Sequence, residues 1–208
     1  MKTTKQHKKF WASRKIDWQK SYTDTWNHPH RFLISGVLKT FNWISLIEIG
    51  CGSGPNLVNI LKTFQGKEVG GIDINPDAIE AAKKTFGGGM FKVSSGDDIM
   101  LSDDSTDVVL SDMCLIYVDP FSIDRYIKEI RRIARNHVVL CEFHSTSLFA
   151  RLKLWLTSGY FAHNYKKLLE KHDFYDVMLY KLPIKAWPGG EPQKTFCYII
   201  IANVPSRK

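Results

Sequence analysis

The densest chemistry in this sequence lies in eight consecutive residues, Glu48-Ile49-Gly50-Cys51-Gly52-Ser53-Gly54-Pro55. Gly50, Gly52 and Gly54 carry no Cβ, so the main chain there can take positive φ and let a ligand lie against bare backbone. Pro55 suits the first position of a helix, where its missing N–H costs nothing, and the free N–H groups of that turn face outward. Glu48 sits two residues before Gly50, and a carboxylate there suits a positively charged ligand better than a pyrophosphate. The dinucleotide fingerprint Gly-x-Gly-x-x-Gly fails here, because its last glycine position is Pro55.

A second acidic residue, Asp73, closes the run Val69-Gly70-Gly71-Ile72-Asp73. It lies roughly 20 residues beyond the glycines, the spacing of a carboxylate that binds ribose hydroxyls. Glu142 and His144 close a later apolar run as Glu-Phe-His, and alternation along a strand puts the two on one side. His144 titrates in the range suited to deprotonating a hydroxyl, and Glu142 could orient it. Asp112 ends another apolar run. The segment Trp26-Asn27-His28-Pro29-His30-Arg31 concentrates polar rings beside a guanidinium. Arg31 could grip a ligand carboxylate in a bidentate pair, and His28 or His30 could line a substrate pocket. Tyr117 and Tyr165 are further candidates for substrate contact. Each of these residues also has an ordinary structural reading, as a helix cap, a packed side chain or a solvated strand end.

The elements that must carry these groups alternate in type. Apolar, β-rich runs at 44–49, 68–74, 90–93, 106–110 and 137–143 are separated by helical patterns at 55–64, 76–86 and 121–134. Such alternation predicts a doubly wound, mostly parallel sheet covered on both faces. The first forty residues read as helical, with Pro29 opening a helix to about Thr40. The tail reads as helical over 147–172, followed by strands at 174–182 and 195–204 joined by a Pro/Gly-rich loop. The expectation is a seven-stranded α/β sheet with an antiparallel edge hairpin and an N-terminal helical cap. It forms one domain over 1–208: a cap at 1–43, a ligand-binding core at 44–145, and a lid insert with the hairpin at 146–208.

Taken together, the motifs resemble those of class I S-adenosylmethionine-dependent methyltransferases. Glu-x-Gly-x-Gly-x-Gly after a first strand is similar to their first motif, Ile72-Asp73-Ile74-Asn75 to their second, and Gly96-Asp97-Asp98 to their third. The resemblance implies a Rossmann-like fold and S-adenosylmethionine as cofactor. It implies that Glu48, Gly50, Cys51, Gly52 and Gly54 form the cofactor loop. Asp73 would accept both ribose hydroxyls, and Ile74 would pack on adenine. The stretch holding Asp97 and Asp98 would bind the adenine amino group. The loop from Ser111 onward would face the methionine part and the substrate, with Arg31 on the methionine carboxylate. Ser111-Asp112-Met113-Cys114 departs from the Asn/Asp-Pro-Pro-aromatic motif of amino-methyltransferases that act on bases or glutamine. Catechol-type enzymes bind a metal through an Asp-Asn pair, which Glu142 and His144 do not match, so no metal is expected.

Composition narrows the function classes. Of 208 residues, 44% are hydrophobic and 24% charged, as in soluble globular proteins, and no apolar run could span a bilayer. The basic, polar start lacks the apolar core of a secretory signal. Cys51, Cys114, Cys141 and Cys197 show no Cys-x-x-Cys spacing and read as reduced, packed thiols of a cytoplasmic protein. The net charge of +8 gathers partly in Lys2, Lys5, Lys8, Lys9, Arg14, Lys15 and Lys20, read most simply as a solvated face. The leading expectation is methyl transfer to oxygen or nitrogen of a small-molecule acceptor by a monomer or homodimer. Two alternatives stand beside it: an RNA or protein methyltransferase using the basic arm, and a non-catalytic, cofactor-binding partner subunit.

Overall fold

A computed structural model of the chain describes residues 3–187 and 190–206; Lys2 of the basic arm lies outside them. Three helices open the chain: α1 (Thr4–Ala12), α2 (Trp18–Thr25) and α3 (Pro29–Leu38). Then come β1 (Ser45–Ile49), α4 (Pro55–Thr63), β2 (Glu68–Asp73), α5 (Pro76–Phe86), β3 (Phe91–Val93), β4 (Thr106–Asp112), α6 (Ile123–Ile133) and β5 (Ala134–Phe143). The remainder is α7 (Leu148–Ser158), α8 (Tyr165–Lys171), β6 (Tyr175–Lys181), α9 (Gln193–Phe196) and β7 (Cys197–Asn203).

The seven strands form one sheet in the order β3-β2-β1-β4-β5-β7-β6. β1 to β5 pair in parallel, while β7 runs antiparallel between β5 and β6. The late hairpin therefore enters the sheet through its second strand and leaves β6 at the edge. The central strands are buried on both faces, as expected where helices cover both sides. Alternate residues serve alternate cores. Val108 and Leu110 face the layer of Leu38, Leu57 and Ile60, whereas Val109 faces that of Ile127 and Ile130. α6 shows why its sequence folds this way. Ile123, Ile127, Ile130 and Ile133 fall at helical spacing and are at most 4% exposed. Each contributes about 1.5–3 kcal/mol by leaving water.

The tail departs from one long helical region. α7 stops at Gly159, whose φ of 75° continues no helix, and α8 restarts behind the Asn164 cap. The stretch between them pairs with the end of β5, since His163 N donates to Phe143 O and Ser145 N to His163 O. No helix among the described residues is long and apolar enough to cross a membrane.

The strand order reverses between β1 and β4, which are neighbours in the sheet although β2 and β3 intervene in sequence. The loops at the carboxyl ends of these strands diverge to opposite faces and leave a crevice, the place where open α/β sheets bind ligands.

Candidate active site

The glycine loop fills that crevice. Gly50 N and Cys51 N donate to Ile72 O at 2.8 and 3.0 Å, which draws the loop onto the end of β2. Gly50 has φ 71°, and a Cβ there would collide with the Cys114 side chain. Gly52 has φ 55° and faces open space, with Trp18 the nearest side chain at 3.6 Å from a would-be Cβ. Asp73 clamps the loop from β2: one carboxylate oxygen accepts from Gly52 N at 2.9 Å and the other from Asn75 N at 2.8 Å. Burial raises the Asp73 carboxyl, and the main-chain donors of Asn75 and Gly52 offset part of that rise.

A second polar group lies at the other end of the loop. Glu48, 2% exposed, accepts from the Asn56 amide at 2.5 Å through Oε1, while Oε2 is buried without a partner. Asn56 also donates to Asp112 Oδ2 at 3.0 Å. The same oxygen accepts from His30 Nε2 at 3.1 Å and Arg31 Nη1 at 3.0 Å. Two neighbouring carboxyls thus titrate in opposite directions. Burial carries Glu48 up to about 8, against the single Asn56 donor. Burial would raise Asp112 too, but His30, Arg31 and Asn56 hold it far below the ordinary carboxylate range. Glu48 Oε2, Asn56 Oδ1 and Asp112 Oδ1 remain as buried acceptors with no donor. Such groups cost about 1–3 kcal/mol each unless a ligand satisfies them.

Between the two ends runs a cavity of about 320 Å³. Its floor is the glycine loop with Asp73, Ile74, Asp112 and Cys114, and its roof is the N-terminal segment. Thr4, His7, Lys8 and Trp11 recur at helical spacing along α1 and all line the cavity. α1 is fastened there at three points. Thr4 N donates to Asp119 Oδ2 at 3.0 Å, Lys8 pairs with Asp97, and Asn75 Nδ2 donates to Trp11 O at 2.7 Å. The ring of Tyr117 packs between His7 (5.2 Å) and Trp11 (5.3 Å). The indole N–H groups of Trp11 and Trp18 are buried without acceptors.

Of the candidate ligand residues, Glu48, Gly50, Cys51, Gly52, Asp73, Ile74, Arg31, Asp112 and Tyr117 line this one cavity. Gly54 stands behind it as the N-cap of α4, at φ 87°. The third motif contributes through its neighbours. Ser94, Ser95 and Gly96 form the wall, while Asp97 is turned to Lys8 and Ser95 and Asp98 is exposed. Arg31 does not point a free fork at the cavity; Nη1 pairs with Asp112 and Nε donates to Thr25 O at 2.9 Å.

Several candidates lie elsewhere. Ser111 is fully buried and donates to Glu142 Oε1 at 2.8 Å. Glu142 is also fully buried, and the same oxygen accepts from Cys114 N and Leu115 N at 3.0 Å each. Burial raises its carboxyl to about 8, against the donors Leu115, Ser111 and Cys114. Glu142 therefore fastens the loop after β4 and does not orient His144. The His144 ring turns instead to a separate depression with Lys166, Lys167 and Tyr198, and its Nδ1 accepts from Tyr165 N at 3.2 Å. A break between α7 and α8 brings His163 beside His144 there, away from the cavity. Tyr165 is fully buried in the core beneath α6, so it offers no ring to a substrate. His30 is fully buried against Trp187, at 4.1 Å between ring centroids, and His28 sits behind it as the N-cap of α3. Neither forms part of the cavity wall.

The roof residues His7, Lys8, Trp11 and Trp18 escaped the reading of the sequence. Their one signal was the amphipathic spacing inside a lysine-rich stretch, where charge density masked a buried stripe.

Residues 46–137 match the family model of a methyltransferase domain. No curated protein matches the chain. Among solved structures, it is similar to the YcgJ protein of Bacillus subtilis, with a TM-score of 0.65 at 13% identity over 88% of this chain and 100% of that one. It is similar to an S-adenosylmethionine-dependent methyltransferase of Archaeoglobus fulgidus, with a TM-score of 0.58 at 21% identity over 83% and 94%. A second S-adenosylmethionine-dependent methyltransferase, from Mesorhizobium loti, gives a TM-score of 0.59 at 17% identity over 78% and 91%. The segment that builds the floor of the cavity is thus similar to a methyltransferase domain, and the chain shares the Rossmann-like fold of these solved structures.

Proposed function

We propose that the protein transfers the methyl group of S-adenosylmethionine to an oxygen or nitrogen of a small-molecule acceptor, in the cytoplasm. The observation that carries this reading is a single cavity with a main-chain cradle clamped by Asp73 at one end and donor-less buried acceptors at the other. That donor set fits the cofactor. Glu48, Asn56 and Asp112 offer acceptors to an ammonium group. Gly52 leaves room beside the backbone for a flat nucleoside, and Asp73 keeps lone pairs for ribose hydroxyls. The Ser94–Gly96 wall would take the adenine edge.

When bound, the cofactor supplies an electrophilic methyl on a sulfonium, whose sulfur keeps the electron pair as the new carbon–oxygen or carbon–nitrogen bond forms. The protein's part is alignment and exclusion of water. The roof of α1, closed by the Asp119, Asp97 and Asn75 contacts, keeps water out. Tyr117 and His7 line the same space and would border an acceptor held there. In this reading the cap 1–43, the core 44–145 and the tail 146–208 act as one catalytic unit. Part of the basic arm is already engaged within the fold, with Lys8 on Asp97 and Lys15 on Asp77.

Equilibrium dialysis with S-adenosylhomocysteine, followed by labelled S-adenosylmethionine in a metabolite pool, tests the proposal. Binding and a labelled small product are expected. Absence of binding removes the proposal, and binding without any labelled product assigns the chain to a non-catalytic role.

A further inference from the structure

α7 presents an apolar stripe that nothing in the chain covers. Leu148, Phe149, Leu152 and Leu156 are 74%, 78%, 50% and 55% exposed, and their spacing places them on one face of the helix. The helix is anchored behind and beside the stripe. Leu154 is buried, Trp155 stacks on Phe161, and Arg151 Nε donates to Ala162 O at 2.9 Å. The exposed stripe is thus held rigidly in place on a docked helix.

The charges around it are one-sided. α7 contains Arg151 and Lys153 and no acidic residue. Lys166 and Lys167 of α8 share a surface depression with Ala150 of α7, in which Glu170 is the one acidic residue. Lys153, Lys166 and Lys167 are exposed and enter no ion pair among the described residues. An apolar stripe with a basic rim is the pattern of a helix that lies in a lipid interface. A second copy of the chain fits less well, because an isologous contact would set these lysines against their own equivalents.

We propose that α7 docks on an anionic lipid surface. Its C-terminal end leads through Gly159 to Tyr160, whose ring lies 5.6 Å from Tyr117 in the cavity wall. The docked helix is therefore one short connection away from the cavity wall. Resting on the methyl-transfer reading, the acceptor is then an amphiphile presented from that surface.

The test is co-sedimentation of the full chain with vesicles of equal parts phosphatidylglycerol and phosphatidylcholine, and with phosphatidylcholine alone. Binding is expected to the anionic vesicles and to weaken in high salt. The triple variant Leu148→Gln, Phe149→Gln, Leu152→Gln should partition about tenfold less or lower. Ile44→Gln, 63% exposed at the amino ends of the strands, should partition like the parent. A second variant, Lys153→Gln, Lys166→Gln, Lys167→Gln, keeps the stripe and should lose the preference for anionic vesicles. Calorimetry with S-adenosylhomocysteine on the same samples reports folding and tests the cofactor reading separately. A parent that ignores anionic vesicles, or a triple variant that binds them as well as the parent, overturns the docking proposal. So does a dimer in light scattering that the triple variant converts to a monomer, or capture of an acidic protein that outcompetes the vesicles.

Discussion

The Asn56 side-chain amide donates to Glu48 Oε1 across 2.5 Å and so ties the first turn of α4 to the end of β1. It is the single donor that Glu48 receives among the described residues, whereas Asp112 on the neighbouring strand collects three. One buried carboxyl is therefore left needing a proton or a cation, and the other is not.

That difference predicts proton release on ligand binding. Glu48 titrates at about 8, above neutral pH, so the empty site holds its proton. An ammonium beside it favours the carboxylate, and up to about one proton passes to the buffer. Calorimetry of S-adenosylhomocysteine binding at pH 7 should give enthalpies that scale with the ionisation enthalpy of the buffer. Glu48→Gln should abolish the dependence, and a buffer-independent enthalpy in the parent would count against the assignment.

The two loop glycines should fail in different ways when given a methyl group. Gly50→Ala drives its Cβ into Cys114 at a positive φ, and should cost about 2–4 kcal/mol of stability. Gly52→Ala meets nothing closer than Trp18 at 3.6 Å, so only the backbone strain of about 1 kcal/mol remains. Its methyl group nonetheless stands where the ligand would lie. Thermal melts should separate the pair in one order, and affinity for S-adenosylhomocysteine should drop about tenfold or more in Gly52→Ala.

Arg31 holds Asp112 and the Thr25 carbonyl with two separate nitrogens. Arg31→Lys keeps the charge but loses the planar fork, and should lose about 1–2 kcal/mol. Arg31→Ala leaves Asp112 with His30 and Asn56 alone and should lose about 3 kcal/mol in denaturant unfolding. Undiminished ligand affinity in a folded Arg31→Ala protein would exclude any grip on the methionine carboxylate.

His163 gives the fold an acid limb. It is 2% exposed, its Nε2 lies 2.9 Å from Val118 O, and burial lowers it to about 4. The unfolded chain binds the proton more readily, so stability is complete above about pH 6.5 and falls as pH drops towards 4. The loss is roughly 3 kcal/mol at most. His163→Gln keeps a donor for Val118 without titrating. Its stability against pH should be flatter over that window, measured by urea midpoints.

The sequence by itself determined the parts that local chemistry controls. Pro55 and Pro76 start helices because of their fixed φ, Gly50 and Gly52 turn the chain because they lack Cβ, and the isoleucine repeat of α6 can bury only one face. Asp73 was legible for the same reason, since a strand of known rise delivers its last carboxylate to a known edge. Tertiary structure alone decided which polar groups meet. His144 directly follows the strand that holds Glu142, yet the return of 160–163 along the end of β5 and the turn after β4 separate them. His7 and Trp11, in a lysine-rich stretch, become a roof because Asp119, Asp97 and Asn75 happen to lie across the crevice. Periodicity reports which face of an element is apolar, but a cavity is built from contacts between residues far apart in the chain, and no local pattern encodes those distances.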